Sequence, residues 1–353
     1  HHLGDKEMWI RRLWPSVPHA HSRLFSQMEC VSASPDVLVT RRICSSLMEH
    51  LIEERQFACW DSEDPMPRDV LLKECVGKSG ILCTLNDKID LELLNTCGEQ
   101  LRVVSTMSVG VDHINVEECE RRGIRVFFTP NLTETTAELA ASLLLAVNRR
   151  LVESERAVRS GEWGAWKPEW LLGRDIFQST VGVYGLGRIG EHFARIMLGF
   201  SPQKILYSGG RGRKPEAEER LRKLSGGTIP VQYVEDFNEF LASCDVVSNH
   251  CAYTSSTHHL FNEAAFQAMK SSAVLINTGR GKHVDQEALV HALQSGAIAG
   301  AGLDVTDPEP LPTDHPLLDL PTCLITPHIG SASIQTRRNM AQLALHQLDQ
   351  GLQ

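Results

Sequence analysis

Three polar residues stand just past three apolar runs in the last third of the chain, and together they could reduce a ketone. Ala273 to Asn277 leads into Thr278-Gly279-Arg280-Gly281, and Ala299 to Val305 leads into Asp307-Pro308-Glu309-Pro310. Cys323 to Thr326 leads into Pro327-His328-Ile329-Gly330-Ser331. A cation at Arg280 would polarise a substrate carbonyl and hold a neighbouring carboxylate. His328 would donate the proton, and Glu309 beside it would favour the imidazolium form. Singly, each residue reads equally well as a surface ion pair or a capped loop. As a set they arrive at the C-terminal ends of separate strands, where open α/β sheets collect their ligands.

A second constellation points to what would deliver the electrons. Thr180 to Tyr184 (TVGVY) reads as an apolar strand, followed by Gly185-Leu186-Gly187-Arg188-Ile189-Gly190 and a helical run through Phe193, Ile196 and Met197. A glycine fingerprint between a strand and a helix is the context that marks a dinucleotide site. Gly185 permits the tight turn, Gly187 lets a pyrophosphate approach the backbone, and Gly190 lets the helix pack on the strand. The free N–H groups of the helix start then face the phosphates. Lys204 to Tyr207 is the next strand. Where an NAD site usually places a carboxylate, the chain has Ser208-Gly209-Gly210-Arg211-Gly212-Arg213-Lys214. Guanidinium groups match a phosphate in charge and geometry, so NADP(H) is favoured over NAD(H).

The elements that must position these groups are visible as alternating strands and helices. Asp36 to Thr40, Gly80 to Leu85 and Leu101 to Thr106 read as short strands, with helical stretches through Leu47, Leu51 and Ile52 and through Leu91, Leu93 and Leu94. Strand alternating with helix implies βαβ units and parallel sheet. A long helix is expected from Thr135, whose spacing to Glu138 fits a capping box, to Arg149. The loop Gly161 to Trp170 holds three tryptophans and should be buried against something, a partner subunit being one candidate.

Composition closes off other classes. The 353 residues carry 35 Lys and Arg against 44 Asp and Glu, a net charge of −9, which is no footprint for nucleic acid. No apolar run is long enough to span a membrane. The ten cysteines are scattered with no C-x-x-C pair, as reduced thiols in a reducing, cytoplasmic compartment would be. His258-His259 has no second ligand cluster, so no metal is expected. Residues 1–35 lack periodicity and form a leader of unknown order. Arg11, Arg12 and Arg23 would suit targeting, whereas Asp5, Glu7 and Glu29 would not.

The chain resembles the D-isomer-specific 2-hydroxyacid dehydrogenases, in particular the glyoxylate reductase/hydroxypyruvate reductase branch. The resemblance runs from about Val37 to Gly351. It is carried by Ser105 to His113 (STMSVGVDH), the Gly185 fingerprint, Asn277 to Gly281, Gly302 to Pro312 (GLDVTDPEPLP) and Pro327 to Ser331 (PHIGS). It implies an NADPH-dependent reductase taking glyoxylate to glycolate or hydroxypyruvate to D-glycerate. Arg280 would bind the substrate carboxylate, Glu309 would pair with His328, and Val109 and Gly110 would offer backbone N–H groups to the carboxylate. Leu186, Gly187 and Arg188 would border the pyrophosphate, and Arg211 and Arg213 the 2′-phosphate. Thr278 and Asp304 would lie along the nicotinamide, with Gly330 also in the cofactor site.

The implied fold is α/β, two doubly wound Rossmann-like domains with the cofactor domain inserted in the substrate domain. Residues 36–132 and 334–353 would form the substrate-binding part and 133–333 the NADP-binding part. The family forms homodimers, and the Trp163/Trp166 loop is similar to its intersubunit arm. The chain departs from the family at Ala252, where a serine is usual, and at Thr278-Gly279, which leaves the backbone before Arg280 more permissive. Two alternatives stay open: an NAD-linked phosphoglycerate-type dehydrogenase, and a nucleotide-sensing interaction protein, since transcriptional corepressors share this fold.

Overall fold

The computed structural model describes residues 36–43, 52, 54–130 and 133–353. The leader 1–35 lies outside them, as do Leu47 and Leu51 of the first expected helix. Twelve strands form among the described residues, and every pairing between them is parallel.

The first sheet contains β1 (Val37–Val39), β2 (Ala58–Cys59), β3 (Gly80–Cys83), β4 (Val103–Thr106) and β5 (Arg125–Phe128), in the order β2-β1-β3-β4-β5. Its side chains alternate between two cores. Leu38, Ile81, Cys83 and Val104 pack on one face with the helix Leu91–Cys97, while Val37, Val39, Leu82 and Val103 pack on the other. That second face is covered by the C-terminal helix Ile334–Leu352 through Met340, Ala344, Leu345 and Leu348. Ser105 Oγ donates to the Ala344 carbonyl at 2.7 Å and anchors this helix over the sheet.

The second sheet contains β6 (Thr180–Tyr184), β7 (Lys204–Ser208), β8 (Val231–Tyr233), β9 (Val246–Asn249), β10 (Val274–Asn277), β11 (Gly300–Leu303) and β12 (Cys323–Ile325). Its order, β12-β11-β10-β9-β6-β7-β8, reverses direction at β6 and β9. Period-two alternation again supplies two cores. Val181, Val183, Ile205, Tyr207 and Ile276 meet the helices Thr133–Asn148 and Arg188–Leu198 on one face. Leu206, Val247 and Leu275 meet Phe240, Phe266 and Leu289 on the other. Strands buried on both faces are what a parallel sheet between helical layers requires.

The long helix already includes Thr133 and ends at Asn148, so Thr135 does not cap it. The Thr135 hydroxyl instead lies 2.7 Å from Thr336 Oγ1 at the start of the last helix, a tie between two helices that a capping pattern does not reveal. Trp163 and Trp166 are 66% and 84% exposed within the chain. The eight cysteines among the described residues are all free, and no described helix is long and apolar enough to cross a membrane.

Candidate active site

The loops after β10, β11 and β12 lie side by side because their strands are neighbours, and each carries one of the three residues singled out from sequence. His328 has a left-handed backbone, φ 53°. Asp304, which follows β11, holds it there. Its carbonyl accepts the His328 N–H at 2.9 Å. Its carboxylate accepts from Ile329 N at 2.8 Å, Gly330 N at 2.7 Å and Thr326 Oγ1 at 2.7 Å. Burial lifts the Asp304 carboxyl above its ordinary range, against the pull of these donors. The Asp304 carboxylate is thus turned toward the His328 loop, with Gly330 as one of its partners.

His328 Nδ1 lies 3.0 Å from Glu309 Oε2. The other Glu309 oxygen accepts from Thr306 N at 3.3 Å. Gln286 fixes the same loop from below, donating to the Asp307 carbonyl at 2.7 Å and accepting from Asp307 N at 2.9 Å. With Nδ1 committed to Glu309, Nε2 is the ring nitrogen left for proton exchange. His328 and Glu309 line a cleft of about 1180 Å³ that Thr84, Leu85 and Met107, just past strands of the first sheet, also line.

Arg280 approaches from the β10 loop. A Cβ on Gly281 would fall 1.9 Å from the Thr306 carbonyl oxygen, so this glycine lets the Arg280 loop press against the Glu309 loop. The guanidinium donates through Nε and Nη2 to Asp112 Oδ1, at 3.0 and 2.8 Å, and through Nη1 to the Gly279 carbonyl at 3.0 Å. Burial works to raise the Asp112 carboxyl, but the hydrogen bonds and charge of Arg280 outweigh it and hold the group below the carboxylate range. Gly110 belongs to the same turn as Asp112. An added Cβ there would lie 1.8 Å from Arg280 Nη2, so only glycine lets the guanidinium reach this backbone. Ser108 Oγ donates to the Gly110 carbonyl at 2.7 Å and stiffens the turn, while Val109 is exposed beside it.

The glycine fingerprint sits at the β6/β9 reversal. Gly185 has φ +91°, and a Cβ on it would come 2.7 Å from the Cys251 nitrogen. Gly190 lies close under the Gly185 carbonyl, 2.4 Å from a built Cβ. Leu186 is buried in the sheet core, whereas Arg188 is exposed and Ile189 half-buried. A dinucleotide fits these residues. Nothing lies within 4 Å of a Cβ at Gly187, and no side chain caps the helix Arg188–Leu198 that Gly187 precedes. The Thr278 hydroxyl oxygen is buried without a hydrogen-bond partner among the described residues, which suits a ligand contact.

At the far end of β7 the two arginines part company. Arg213 is turned to Glu218, with contacts of 3.0 and 2.9 Å, and Glu218 also accepts from Tyr207 Oη at 2.6 Å. Arg211 is exposed and makes no ion pair with a described residue. Sequence reasoning gave no role to Asp112, Gln286 or the loop-holding carboxylate of Asp304. Asp112 lies inside a quoted motif, and a carboxylate two residues past a functional glycine was the available signal; Gln286 offered none.

The chain and its fold are similar to those of known proteins. The family described as "D-isomer specific 2-hydroxyacid dehydrogenase, NAD binding domain" matches residues 141–330. The chain is similar to the glyoxylate reductase/hydroxypyruvate reductase of Homo sapiens, 46% identical over 319 residues that cover 90% of this chain and 94% of that protein. The fold is similar to a solved Thermus thermophilus structure, with TM-score 0.80, 43% identity and coverage of 90% and 96%. It is also similar to an NADPH-dependent glyoxylate/hydroxypyruvate reductase from Sinorhizobium meliloti, solved with NADP and malonate. There the TM-score is 0.74, the identity 32% and the coverage 89% and 92%.

Proposed function

The chain belongs to the D-isomer-specific 2-hydroxyacid dehydrogenase family, and we propose that within it the protein is an NADPH-dependent reductase of short 2-keto acids, taking glyoxylate to glycolate and hydroxypyruvate to D-glycerate. The observation that carries this reading is the 3.0 Å contact of His328 Nδ1 with Glu309. Glu309 accepts the Nδ1 hydrogen and fixes the ring, so Nε2 hands its proton to the substrate's keto oxygen as that oxygen becomes a hydroxyl. A reduced nicotinamide, when bound, supplies the hydride for the adjacent carbon. Arg280 holds the substrate carboxylate and draws electron density from the carbonyl, and the Val109 and Gly110 N–H groups complete the carboxylate's contacts.

The cofactor residues in this reading are Gly185 to Gly190, Thr278, Asp304, Gly330, and Arg211 with Arg213 near a 2′-phosphate. Preference for NADPH is supported by Ser208-Gly209-Gly210, where a carboxylate would otherwise repel that phosphate, and by Arg211, which pairs with no described residue. Residues 36–132 with 334–353 serve as the substrate part and 133–333 as the cofactor part, a division supported by the packing of the last helix on the first sheet. The exposed Trp163 and Trp166 support a homodimer in which a second subunit covers them.

The test is NADPH absorbance on adding glyoxylate, hydroxypyruvate or pyruvate, each repeated with NADH. Oxidation of NADPH by glyoxylate and hydroxypyruvate is expected. A protein that binds NADPH and oxidises it with none of the three would be the nucleotide-sensing interaction protein instead.

A further inference from the structure

We infer that His283 is a positioning residue for Arg280, a buried imidazole that fixes the main chain from which the substrate-binding guanidinium extends. The inference rests on the proposed reading of Arg280 as the residue that holds a keto-acid carboxylate.

After β10 ends at Asn277, residues Gly281–His283 make a single 3-10 turn that brings the His283 ring back under Arg280. The Arg280 N–H donates to His283 Nδ1 at 3.2 Å. The residue has no exposed surface, and burial pushes its imidazole below the ordinary range, so the ring is neutral. A neutral ring offers one acceptor and one donor. Nδ1 also lies 3.1 Å from the Arg280 carbonyl oxygen, but that carbonyl already accepts from Asn277 Nδ2 and His283 N. Nδ1 is therefore assigned as the acceptor for the Arg280 N–H and the hydrogen to Nε2, 3.4 Å from Cys251 Sγ. Cys251 is the second residue of the loop after β9, the loop whose backbone lies against Gly185. One imidazole therefore spans the Arg280 loop and the loop beside the dinucleotide turn.

The surroundings are shaped for this ring. A Cβ on Gly279 would come 3.2 Å from Nδ1 and 3.3 Å from Cε1 of His283. Gly279 does not adopt a left-handed φ, so backbone permissiveness is not its use; its missing side chain makes room for the imidazole. Asn277 completes the arrangement. Its Nδ2 donates to the Arg280 carbonyl at 2.9 Å, and its Oδ1 accepts from Gly279 N at 3.1 Å and Asn249 Nδ2 at 3.0 Å. The Arg280 N–H depends on the His283 ring, and its C=O on Asn277 together with the His283 N–H. An apolar residue at 283 would leave a backbone donor unpaired directly behind the guanidinium, and the loop would shift to satisfy it.

Steady-state kinetics with glyoxylate and NADPH on His283→Leu and His283→Asn test this. Leucine fills similar volume without an acceptor, whereas the asparagine Oδ1 stands near where Nδ1 does. His283→Leu should lower kcat/KM for the keto acid about tenfold, with KM for NADPH and Tm little changed, and His283→Asn should recover most of the loss. Calorimetric affinity for oxamate, an unreactive carboxylate, should weaken about tenfold in the leucine variant and recover in the asparagine variant.

Equal kinetics and equal oxamate affinity in the leucine and asparagine variants would overturn the role, as would a loss matched by a fall in folded protein. If His283→Leu does not fold, His283→Gln, which moves the acceptor to the Nε2 position, takes its place with the same expected losses. A wild type that oxidises NADPH with no keto acid removes the reductase reading alone, because oxamate binding still reports on Arg280. A wild type that also fails to bind oxamate removes both.

Discussion

Asp112 Oδ1 accepts from both Nε and Nη2 of Arg280, joining the turn after β4 in the first sheet to the turn after β10 in the second. The two side chains are 45% and 27% exposed, so the pair adds little to stability, about 1 kcal/mol at most. Its effect is on direction. Two donors on one oxygen fix the plane of the guanidinium, and a guanidinium in a fixed plane can meet a carboxylate with the N–H that Nη1 and Nη2 each have left.

Asp112→Ala should therefore lower kcat/KM for glyoxylate roughly tenfold while Tm changes by no more than a few degrees, with Asp112→Asn in between. Steady-state kinetics beside thermal unfolding decide it. Wild-type kinetics in the alanine variant would mean that Arg280 needs no support from the first sheet.

His328 and Glu309 should differ in degree. His328→Gln removes the proton donor and should cost on the order of 10³-fold in kcat, with NADPH still bound. Glu309→Gln keeps a hydrogen-bonding group next to Nδ1 but not the charge, and a loss of about 10- to 100-fold is expected. Fluorescence titration of NADPH separates lost chemistry from lost binding. Near-wild-type turnover in His328→Gln would exclude Nε2 as the proton source.

The unequal settings of Arg211 and Arg213 predict unequal effects. Arg213 is neutralised by Glu218, whereas Arg211 is not paired with any described residue. Arg211→Ala should raise KM for NADPH about tenfold and leave KM for NADH nearly unchanged, while Arg213→Ala should do much less. Glu218→Gln, by freeing Arg213, should tighten NADPH. Kinetics with both cofactors across the three variants test the ordering, and equal effects of the two alanine variants would reject it.

Legibility in the sequence followed burial. β6 and β10 were readable within a residue because strands buried on both faces are written as unbroken apolar runs. β5 and β8 were not. Their residues Arg125–Phe128 and Val231–Tyr233 lie at sheet edges, half exposed, where a polar residue costs little and the pattern dissolves. At the site, Arg280, Glu309 and His328 stood out because each sits one turn past such a run. Asp112 and Gln286 reach Arg280 and Asp307 only when distant loops meet, whereas His283 lies three residues from Arg280 and is brought under it by a single 3-10 turn that no apolar run marks. Arg213 adds what its type alone does not tell: Glu218, five residues on, pairs with it.

Acid should unfold the protein through histidines that the site does not use. His250 Nε2 lies 2.8 Å from Ser248 Oγ, its ring stands 5.1 Å from Phe193, and its Nδ1 is buried without a partner among the described residues. Burial pushes this imidazole down to about 3 and His113 down to about 4. An unfolded histidine takes a proton near pH 6.5, so below that value the unfolded chain binds a proton that the folded ring refuses. Each such group contributes stability that is complete above pH 6.5 and falls by about 1.4 kcal/mol per pH unit toward its folded value. Asp304 and Asp349, raised by burial, act in the opposite sense, but they are common to wild type and variant and cancel in the comparison. His250→Phe keeps the packing against Phe193 and cannot take the proton. Its Tm should therefore fall less steeply than that of the wild type between pH 6.5 and pH 4, whichever protein is the more stable at pH 7. Parallel Tm curves would mean that the folded ring takes its proton as readily as the unfolded one.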